Sequence, residues 1–169
     1  MGIMRAKILR PAEAVRRASE LRAAGRRLVT ANGSFDLLHA GHLALLEEAK
    51  EQGEVLFVGL NSDASIRQYK GPERPIVPEK ERARLLAGLT CVDAVVMIEA
   101  VEAGAEIIRL VRPHVHVNGA EYGPPEQWVE YPIMREHGVR GHACPRQAGL
   151  STSALIAKIR SRKVESGVE

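Results

Sequence analysis

The sequence predicts an α/β fold, a single doubly wound sheet of about five parallel strands with helices on both faces. Short runs rich in β-branched residues alternate with amphipathic segments along the 169 residues, and this alternation implies right-handed crossovers between parallel strands. One run, VLFVGL at residues 55–60, is apolar on both sides, as expected for a strand that helices cover on both faces. Aromatic residues make up 4% of the chain, so aliphatic side chains build the core. These features indicate a Rossmann-like domain.

Apolar, β-branched runs mark the strands. The first run, LVTA, follows Gly25, a residue suited to ending a helix, and the second run leads into Asn61-Ser62-Asp63. The predicted strands cover residues 28–31, 55–60, 92–98, 115–117 and 139–144.

Helix-start signals and apolar spacing mark the helices. Pro11 suits the first turn of a helix in which Val15, Ala18 and Leu21 share one face, and Pro78 starts another helix with acidic residues in its first turn. The predicted helices cover residues 11–21, 42–51, a short segment ending near 69, 78–89, 103–111 and 152–160.

The length suits one domain with a sizeable core, and the sequence contains no internal repeat or long linker. We therefore expect a single domain over residues 1–169, with a helical N-terminal extension at 1–26 and a flexible tail at 161–169. The net charge of +3 is mild and typical of solvated helix faces, so we expect no nucleic-acid or membrane partner. Two lone cysteines and the lack of a signal-peptide pattern favour the cytoplasm.

Polar, glycine-bearing segments follow the predicted strands. They cover residues 32–41, 61–63, 118–124 and 146–153. In doubly wound sheets, ligands bind beyond the carboxyl ends of the strands. The sequence therefore predicts one site assembled from several loops.

The segment NGSFDLLHAGH, residues 32–42, has the features of a phosphate site. Gly33 permits a sharp turn after the strand, and Gly41 leaves room for a ligand to approach the backbone. The following helix offers free N–H groups and the positive end of its dipole to an anion. At that end, we expect the imidazoles of His39 and His42 to neutralise phosphate charge.

Two other interpretations of these histidines are a metal site and core packing. A zinc site needs more ligands than His39 and His42, and the chain has no HExxH pattern. His114 and His116 are further ligand candidates from another element. We instead assign the remaining histidines to the core or the surface; they are His114, His116, His137 and His142.

The C-terminal segment RQAGLSTS, residues 146–153, also has two interpretations. Ser151 or Thr152 is a good N-cap, which explains the hydroxyl groups without any function. Arg146 beside a helix N-terminus, however, indicates an anion site. We favour the functional interpretation.

The HAGH motif resembles the HxGH signature of the nucleotidyltransferase superfamily. From Lys7 to about Arg160, an ordered series of segments resembles the adenylyltransferase domain of bacterial heptose 1-phosphate adenylyltransferases, which make ADP-heptose for the lipopolysaccharide core. The segment at 146–153 resembles the R-x-x-G-[IL]-S-T-[ST] motif of glycerol-3-phosphate cytidylyltransferases. The segments similar to the heptose enzymes are LVTANGSFDLLHAGH, LFVGLNSDASIRQYKG, ERPIVP, ERARLLAGLTCVDAVV and VNGAEYG.

This resemblance implies that a sugar or polyol phosphate attacks the α-phosphate of a Mg²⁺-bound nucleoside triphosphate, with release of pyrophosphate. It implies catalytic roles for His39, His42, Lys70 and Arg82, with Lys70 closing over the phosphates from a mobile loop. A homodimer is expected on the same ground. The nucleotide-binding residues implied are Asn32, Gly33, Ser34, Phe35, Asp36, Gly41, Asn118, Gly119, Glu121, Arg146, Gly149, Ser151, Thr152 and Ser153. The substrate-binding residues are Asn61, Asp63, Asp93, Tyr122 and Trp128.

Three functions remain open at this point. The N-terminal segment and the NSDAS and KGPERP segments favour ATP with heptose 1-phosphate, whereas RQAGLSTS favours CTP with glycerol 3-phosphate or another polyol phosphate. A catalytically silent nucleotide-binding module is the third. The chain departs from the heptose enzymes at Ser34 (cysteine there), Asn118 (lysine) and Glu121 (aspartate), and residues 124–137 match neither relative.

Overall fold

A six-stranded parallel sheet forms the centre of the protein in the computed structural model, which describes residues 7–145 and 151–161. The strand order is β1-β4-β3-β2-β5-β6, and all neighbouring strands pair in parallel. The strands are β1 (Ile8–Leu9), β2 (Leu28–Gly33), β3 (Val55–Asn61), β4 (Ala94–Ile98), β5 (Val115–Gly119) and β6 (Arg140–Cys144).

Seven α-helices lie in the described ranges. They are α1 (Pro11–Ala23), α2 (Ala40–Glu51), α3 (Asp63–Lys70), α4 (Glu79–Gly88), α5 (Ala103–Val111), α6 (Tyr131–Glu136) and α7 (Thr152–Ser161). Two single 3₁₀ turns, Ala120–Tyr122 and Pro125–Gln127, follow β5. The α/β class, the parallel sheet and its helical cover are confirmed.

Helices cover the sheet on both faces because strand residues alternate between two apolar clusters. Leu56 and Val58 of β3 pack in one cluster with Leu46 of α2 and Leu86 of α4. Phe57, between them in sequence, belongs to the cluster formed with α1 and α5. The run at residues 55–60, which predicted a strand buried on both faces, therefore contributes side chains to both apolar clusters.

The sheet order reverses beside β2. From β2 the chain continues to β3 and β4 on one side, whereas β5 and β6 lie on the other. Such a reversal opens a crevice at the carboxyl ends of the two strands that flank it. The loops after β2 and β5, which carry the two polar glycine segments, lie at this crevice.

The N-terminal segment departs from the prediction. Within the predicted helical extension, Ile8 and Leu9 form β1 and pair with Val95 and Val96 of β4, so a sixth strand completes the sheet edge. Helix α1 packs in the same apolar cluster as α5. Residues 1–6 and, except for Ser161, the predicted tail at 161–169 lie outside the described residues.

Residues 118–124, predicted as a loop, contain the first 3₁₀ turn, and residues 124–137, to which no element was assigned, contain the second 3₁₀ turn and α6. Proline occupies the first turn of the second 3₁₀ helix and of α6. Each of these elements is too short for apolar periodicity to reveal it. None of the described helices is long and apolar enough to cross a membrane.

Candidate active site

A cavity of about 740 Å³ opens at the carboxyl ends of the strands. Its size falls in the range of small-molecule sites, roughly 300–1,000 Å³. The loops after β2, β3, β5 and β6 and the start of α7 form its walls, as the sheet topology requires. The predicted site residues that line it are Asn32, Gly33, Ser34, Phe35, His39, Gly41, His42, Asn61, Lys70, Asn118, Gly119, Glu121, Tyr122, Trp128, Ser151, Thr152 and Ser153.

His39 caps helix α2. Its Nδ1 accepts hydrogen bonds from the backbone N–H groups of Gly41 (3.1 Å) and His42 (3.3 Å), so the helix begins at Ala40 rather than at His42 as predicted. With Nδ1 acting as an acceptor, the neutral ring carries its proton on Nε2. The cap therefore sets the tautomer and orientation of His39.

The two imidazoles stack on each other and are neutral at neutral pH. Their ring centroids are 3.8 Å apart, with an interplanar angle of 19°. Burial, followed by the nearby His39 and Lys70, lowers the pKa of His42 to about 4, and burial also lowers the pKa of His39. Neutral rings can offer N–H donors to a phosphate, and a bound polyanion favours their protonation, so the expected neutralisation of phosphate charge by His39 and His42 stays a prediction.

Lys70 is the last residue of α3 and lines the cavity, rather than belonging to the following loop as predicted. Its Nζ donates to Ser34 Oγ at 2.9 Å and so joins α3 to the loop after β2. Burial, together with the neighbouring Arg74, lowers the pKa of Lys70. The ammonium group thus rests on a neutral hydroxyl, within the wall that holds the two histidines.

Arg82 does not line the cavity. Its side chain is fully buried, donating from Nε to Val77 O (2.8 Å) and from Nη1 to Ser34 O (2.6 Å) and Asn61 O (3.0 Å). Nη2 donates to Asp63 Oδ1 at 2.7 Å. All three nitrogens are committed to the protein, which corrects the predicted phosphate-contacting role to a structural one.

Three predicted carboxylates, those of Asp36, Asp63 and Asp93, lie outside the cavity wall. Asp63 is held by Arg82. Asp93 precedes β4 at the amino edge of the sheet, where it pairs with Lys50 and accepts from the Leu56 N–H (2.7 Å). The predicted substrate contact of Asp93 is therefore wrong, because it lies at the opposite end of the strands from the cavity. Asn61, in contrast, ends β3 within the cavity and donates to Ser65 Oγ.

Asp36, predicted to contact the nucleotide, is a fully buried anchor for the loop before α4. Its carboxylate accepts from the Ile76 N–H, the Val77 N–H and Arg74 Nε at 2.8–2.9 Å. Burial alone raises the pKa of Asp36, but these hydrogen bonds outweigh burial and hold it below its usual range. Its backbone carbonyl accepts from Thr152 Oγ1 at 2.7 Å, so α7 docks on the same loop.

The wall after β5 is acidic. Glu121 and Glu130 both line the cavity, and burial, together with these two carboxylates, raises the pKa of Tyr122. Asn118 Nδ2 lies 3.5 Å from Glu130 Oε2. Trp128 is 4% exposed, and its indole N–H donates to Gly123 O (2.9 Å), so this side chain shapes the wall from within the core.

At the C-terminal segment, the structure places the hydroxyl groups in the cavity wall. Ser151 Oγ accepts from the Ala154 N–H at 3.1 Å, which confirms the predicted helix cap. Arg146 and Gly149 lie outside the described residues, so the predicted anion contacts of this pair stay predictions.

His114 and His116 are structural, as predicted. His114 Nδ1 accepts from the Leu28 N–H (3.0 Å), and the fully buried His116 bonds Thr30 Oγ1 (2.8 Å). Burial lowers the pKa of His116 to about 3. Both histidines hold β5 against β2.

Several cavity residues escaped the sequence analysis, among them Tyr69, Arg74 and Glu130. Arg74 lies four residues after Lys70 in the KGPERP segment. Nothing in the sequence distinguishes it there from a solvent-exposed charged residue of a loop. Glu130 lies in residues 124–137, the segment that resembles neither the heptose enzymes nor the glycerol-3-phosphate cytidylyltransferases. The other unpredicted wall residues are Leu45, Val101, Gln127, Val129, Cys144 and Pro145.

A cytidylyltransferase-like family model matches residues 30–158, the part of the chain that contains this cavity. The chain belongs to the cytidylyltransferase-like family. It is an enzyme of the nucleotidyltransferase type, which agrees with the predicted superfamily.

Known proteins resemble this cytidylyltransferase-like chain over most of its length. The bifunctional protein HldE of Trichlorobacter lovleyi is 43% identical over 141 residues, 83% of this chain and 28% of that protein. The chain thus spans less than a third of the curated relatives it matches. A lipopolysaccharide core biosynthesis protein from Thermoplasma volcanium GSS1 has 25% identity and a TM-score of 0.57, covering 73% of this chain and 98% of its own.

A pantoate-beta-alanine ligase from Francisella tularensis supports the fold alone. It has a TM-score of 0.59 at 14% identity, covering 95% of this chain and 81% of its own. The Rossmann-like architecture of the cytidylyltransferase-like domain therefore extends to proteins with little sequence in common.

Replacing Arg82 by lysine should lower the free energy of unfolding of the cytidylyltransferase-like domain by about 3 kcal/mol, because one ammonium group cannot serve three carbonyls and a carboxylate. Urea unfolding measures the change. Arg84→Lys, an exposed substitution on the same helix, is the matched control. Surface substitutions typically change the free energy of unfolding by no more than about 0.5 kcal/mol. A change that small for Arg82→Lys would contradict the structural role of Arg82.

Acid should destabilise the cytidylyltransferase-like domain as the pH falls from 6.5 towards about 4. The pKa of His42 is about 4 in the folded state against an ordinary 6.5, so the unfolded state binds more protons in this window and stability rises with pH. Urea unfolding at several pH values gives the free energy of unfolding as a function of pH. Its slope should be shallower for His42→Gln than for the wild type, whereas His137→Gln should keep the wild-type slope. Equal slopes for wild type and His42→Gln would refute the neutral state of His42.

Proposed function

We propose that this chain transfers a nucleoside monophosphate from a nucleoside triphosphate to a sugar phosphate, with ATP and D-glycero-D-manno-heptose 1-phosphate as the leading pair. The observation that carries the proposal is the stacked His39–His42 pair at the N-terminus of α2, in one cavity with Lys70. A helix N-terminus, two imidazole donors and an ammonium group together suit a phosphate chain.

In this reaction an oxygen of the acceptor phosphate attacks the α-phosphorus of the triphosphate. The bond between that phosphorus and the bridging oxygen to the β-phosphate breaks, and pyrophosphate leaves. Neither step needs a covalent enzyme intermediate, so positioning and charge stabilisation supply the rate. We assign the imidazole donors of His39 and His42 to the phosphate oxygens whose charge grows during transfer, and Lys70, in the same wall of the cavity, to the triphosphate.

Magnesium is the cofactor we propose, brought by the triphosphate. No group of three or more His, Cys, Asp or Glu side chains suited to a metal ion occurs in residues 7–145 and 151–161. Mg²⁺ is commonly held by substrate phosphates and water with one or two carboxylates. When bound, Mg²⁺ supplies further neutralisation of phosphate charge. Glu121 and Glu130 are the cavity carboxylates available to it.

The heptose acceptor is supported by the relatives. Matched proteins carry the HldE name, and a similar solved structure is named for lipopolysaccharide core biosynthesis. The ordered segments shared with heptose 1-phosphate adenylyltransferases point to the same acceptor. Asn118 and Glu121, which differ from those enzymes, both line the cavity, so they are the residues we expect to adjust substrate preference.

A cytidylyltransferase using CTP and a polyol phosphate is the second candidate. Ser151 and Thr152 of the cytidylyltransferase-type motif line the cavity, and Thr152 is tied to the Asp36 carbonyl. This contact joins the start of α7 to the loop before α2, which supports a part for the two hydroxyl residues in nucleotide binding.

A pyrophosphate-release assay tests these functions. The chain is incubated with Mg²⁺, each of the four ribonucleoside triphosphates and a panel containing heptose 1-phosphate, hexose 1-phosphates and glycerol 3-phosphate. We expect release with ATP and heptose 1-phosphate, with ADP-heptose identified by mass spectrometry. Release with CTP and glycerol 3-phosphate instead would favour the second candidate. Triphosphate binding without turnover on any acceptor would favour a silent nucleotide-binding module.

Replacing His42 by glutamine should lower kcat by about 10²-fold, the usual cost of losing a transition-state donor. Steady-state kinetics with the active pair measure the effect. His137→Gln, which changes a histidine outside the cavity wall, should retain wild-type kcat. A His42→Gln enzyme with normal kcat would remove this side chain from the mechanism.

A further inference from the structure

Arg74 is a cavity cation that the mechanism above leaves unused. It lies in the loop between α3 and α4, and its side chain is 15% exposed. It lines the same cavity as His39, His42 and Lys70. The guanidinium group is therefore largely withdrawn from solvent but borders the space in which a ligand binds.

The Arg74 guanidinium is anchored on one side by a buried carboxylate. Nε donates to Asp36 Oδ2 at 2.8 Å. Asp36 also accepts from the backbone N–H groups of Ile76 and Val77, so the loop and the side chain are held together. Because Asp36 is fully buried, this anchor is shielded from water and salt, which makes the orientation of Arg74 well defined.

The adjacent nitrogen of the same guanidinium has no partner. Arg74 Nη2 is buried and bonds no atom of the described residues. Leaving a buried charged donor unsatisfied is costly, so such atoms call for an explanation. His42 Nδ1, on another cavity-lining side chain, is likewise buried without a partner in the described ranges. The cavity is thus lined by two side chains with an unmet hydrogen-bonding atom.

We propose that Arg74 binds the triphosphate directly: with Nε held by Asp36, Nη2 donates to a phosphate oxygen. This inference rests on the function proposed above, since it assigns a further residue to the same phosphate site. A planar guanidinium with one edge position already occupied suits directional recognition of a phosphate. Lys70 differs, because its ammonium rests on a hydroxyl at the exposed end of a helix. Arg74 is the pre-oriented cation of the pair.

Binding of inorganic tripolyphosphate, measured by isothermal titration calorimetry, tests Arg74 without any nucleoside or acceptor. We expect Arg74→Gln and Arg74→Lys to bind tripolyphosphate about tenfold to a hundredfold more weakly than wild type, the range for a lost hydrogen bond to a charged group. Lysine weakens binding because one ammonium cannot keep the Asp36 contact and the phosphate contact in the same geometry. Arg67→Gln, an exposed change on α3, is the charge-matched control and should bind as wild type does.

Urea unfolding of each variant shows whether it is folded. If Arg74→Gln is unfolded because Asp36 loses its partner, the Arg74→Lys protein decides, since it retains a cation beside Asp36. Wild-type affinity in a folded Arg74 variant, or no tripolyphosphate binding by the wild type, would overturn the proposal. Weakened binding in the variants together with no nucleotidyl transfer by the wild type would uphold Arg74 and reject the proposed reaction. Nucleotidyl transfer by the wild type, together with Arg74 variants that bind tripolyphosphate as tightly as the wild type, would uphold the proposed reaction and reject the role of Arg74.

Discussion

The cavity depends on one fully buried guanidinium group, that of Arg82. Its hydrogen bonds reach Ser34 after β2, Asn61 at the end of β3, Asp63 at the start of α3, and Val77 before α4. A buried charge is tolerated when its donors are satisfied, and removing part of such a network leaves the remaining groups unpaired. One side chain therefore joins three separate segments: the loop after β2, the junction of β3 and α3, and the loop before α4.

Within that frame, the charges of the cavity are divided between its walls. The wall built from α2 and α3 carries two neutral imidazoles and Lys70, whereas the wall after β5 carries Glu121 and Glu130. Burial keeps the imidazoles neutral until an anion arrives. A phosphate chain is consequently favoured at one wall and opposed at the other, so the division of charge orients a ligand that carries its anionic groups at one end.

Most of the architecture follows from local patterns, whereas the misses depend on contacts that no local pattern records. Strands such as β3 are visible because helices cover both faces and every position is apolar. The two-residue β1 shows no periodicity, and its pairing with β4 depends on residues more than eighty positions away. The start of α2 was misplaced because histidine is an unusual cap, and the role of His39 Nδ1 as an acceptor is visible only in three dimensions.

The two arginines show why the chemistry of a site is harder to predict than its location. Arg82 was assigned to the phosphates by its place in a family pattern, yet three of its four partners are backbone carbonyls, which every residue possesses and no motif records. Arg74 was overlooked in a loop, yet it lines the cavity and its buried Nη2 has no partner among the described residues. A motif identifies which residues meet at a site. Which of them has a donor left for a ligand depends on the partners that the fold supplies to each one. Those partners make Arg82 a structural residue and are the reason for proposing Arg74 as the phosphate ligand.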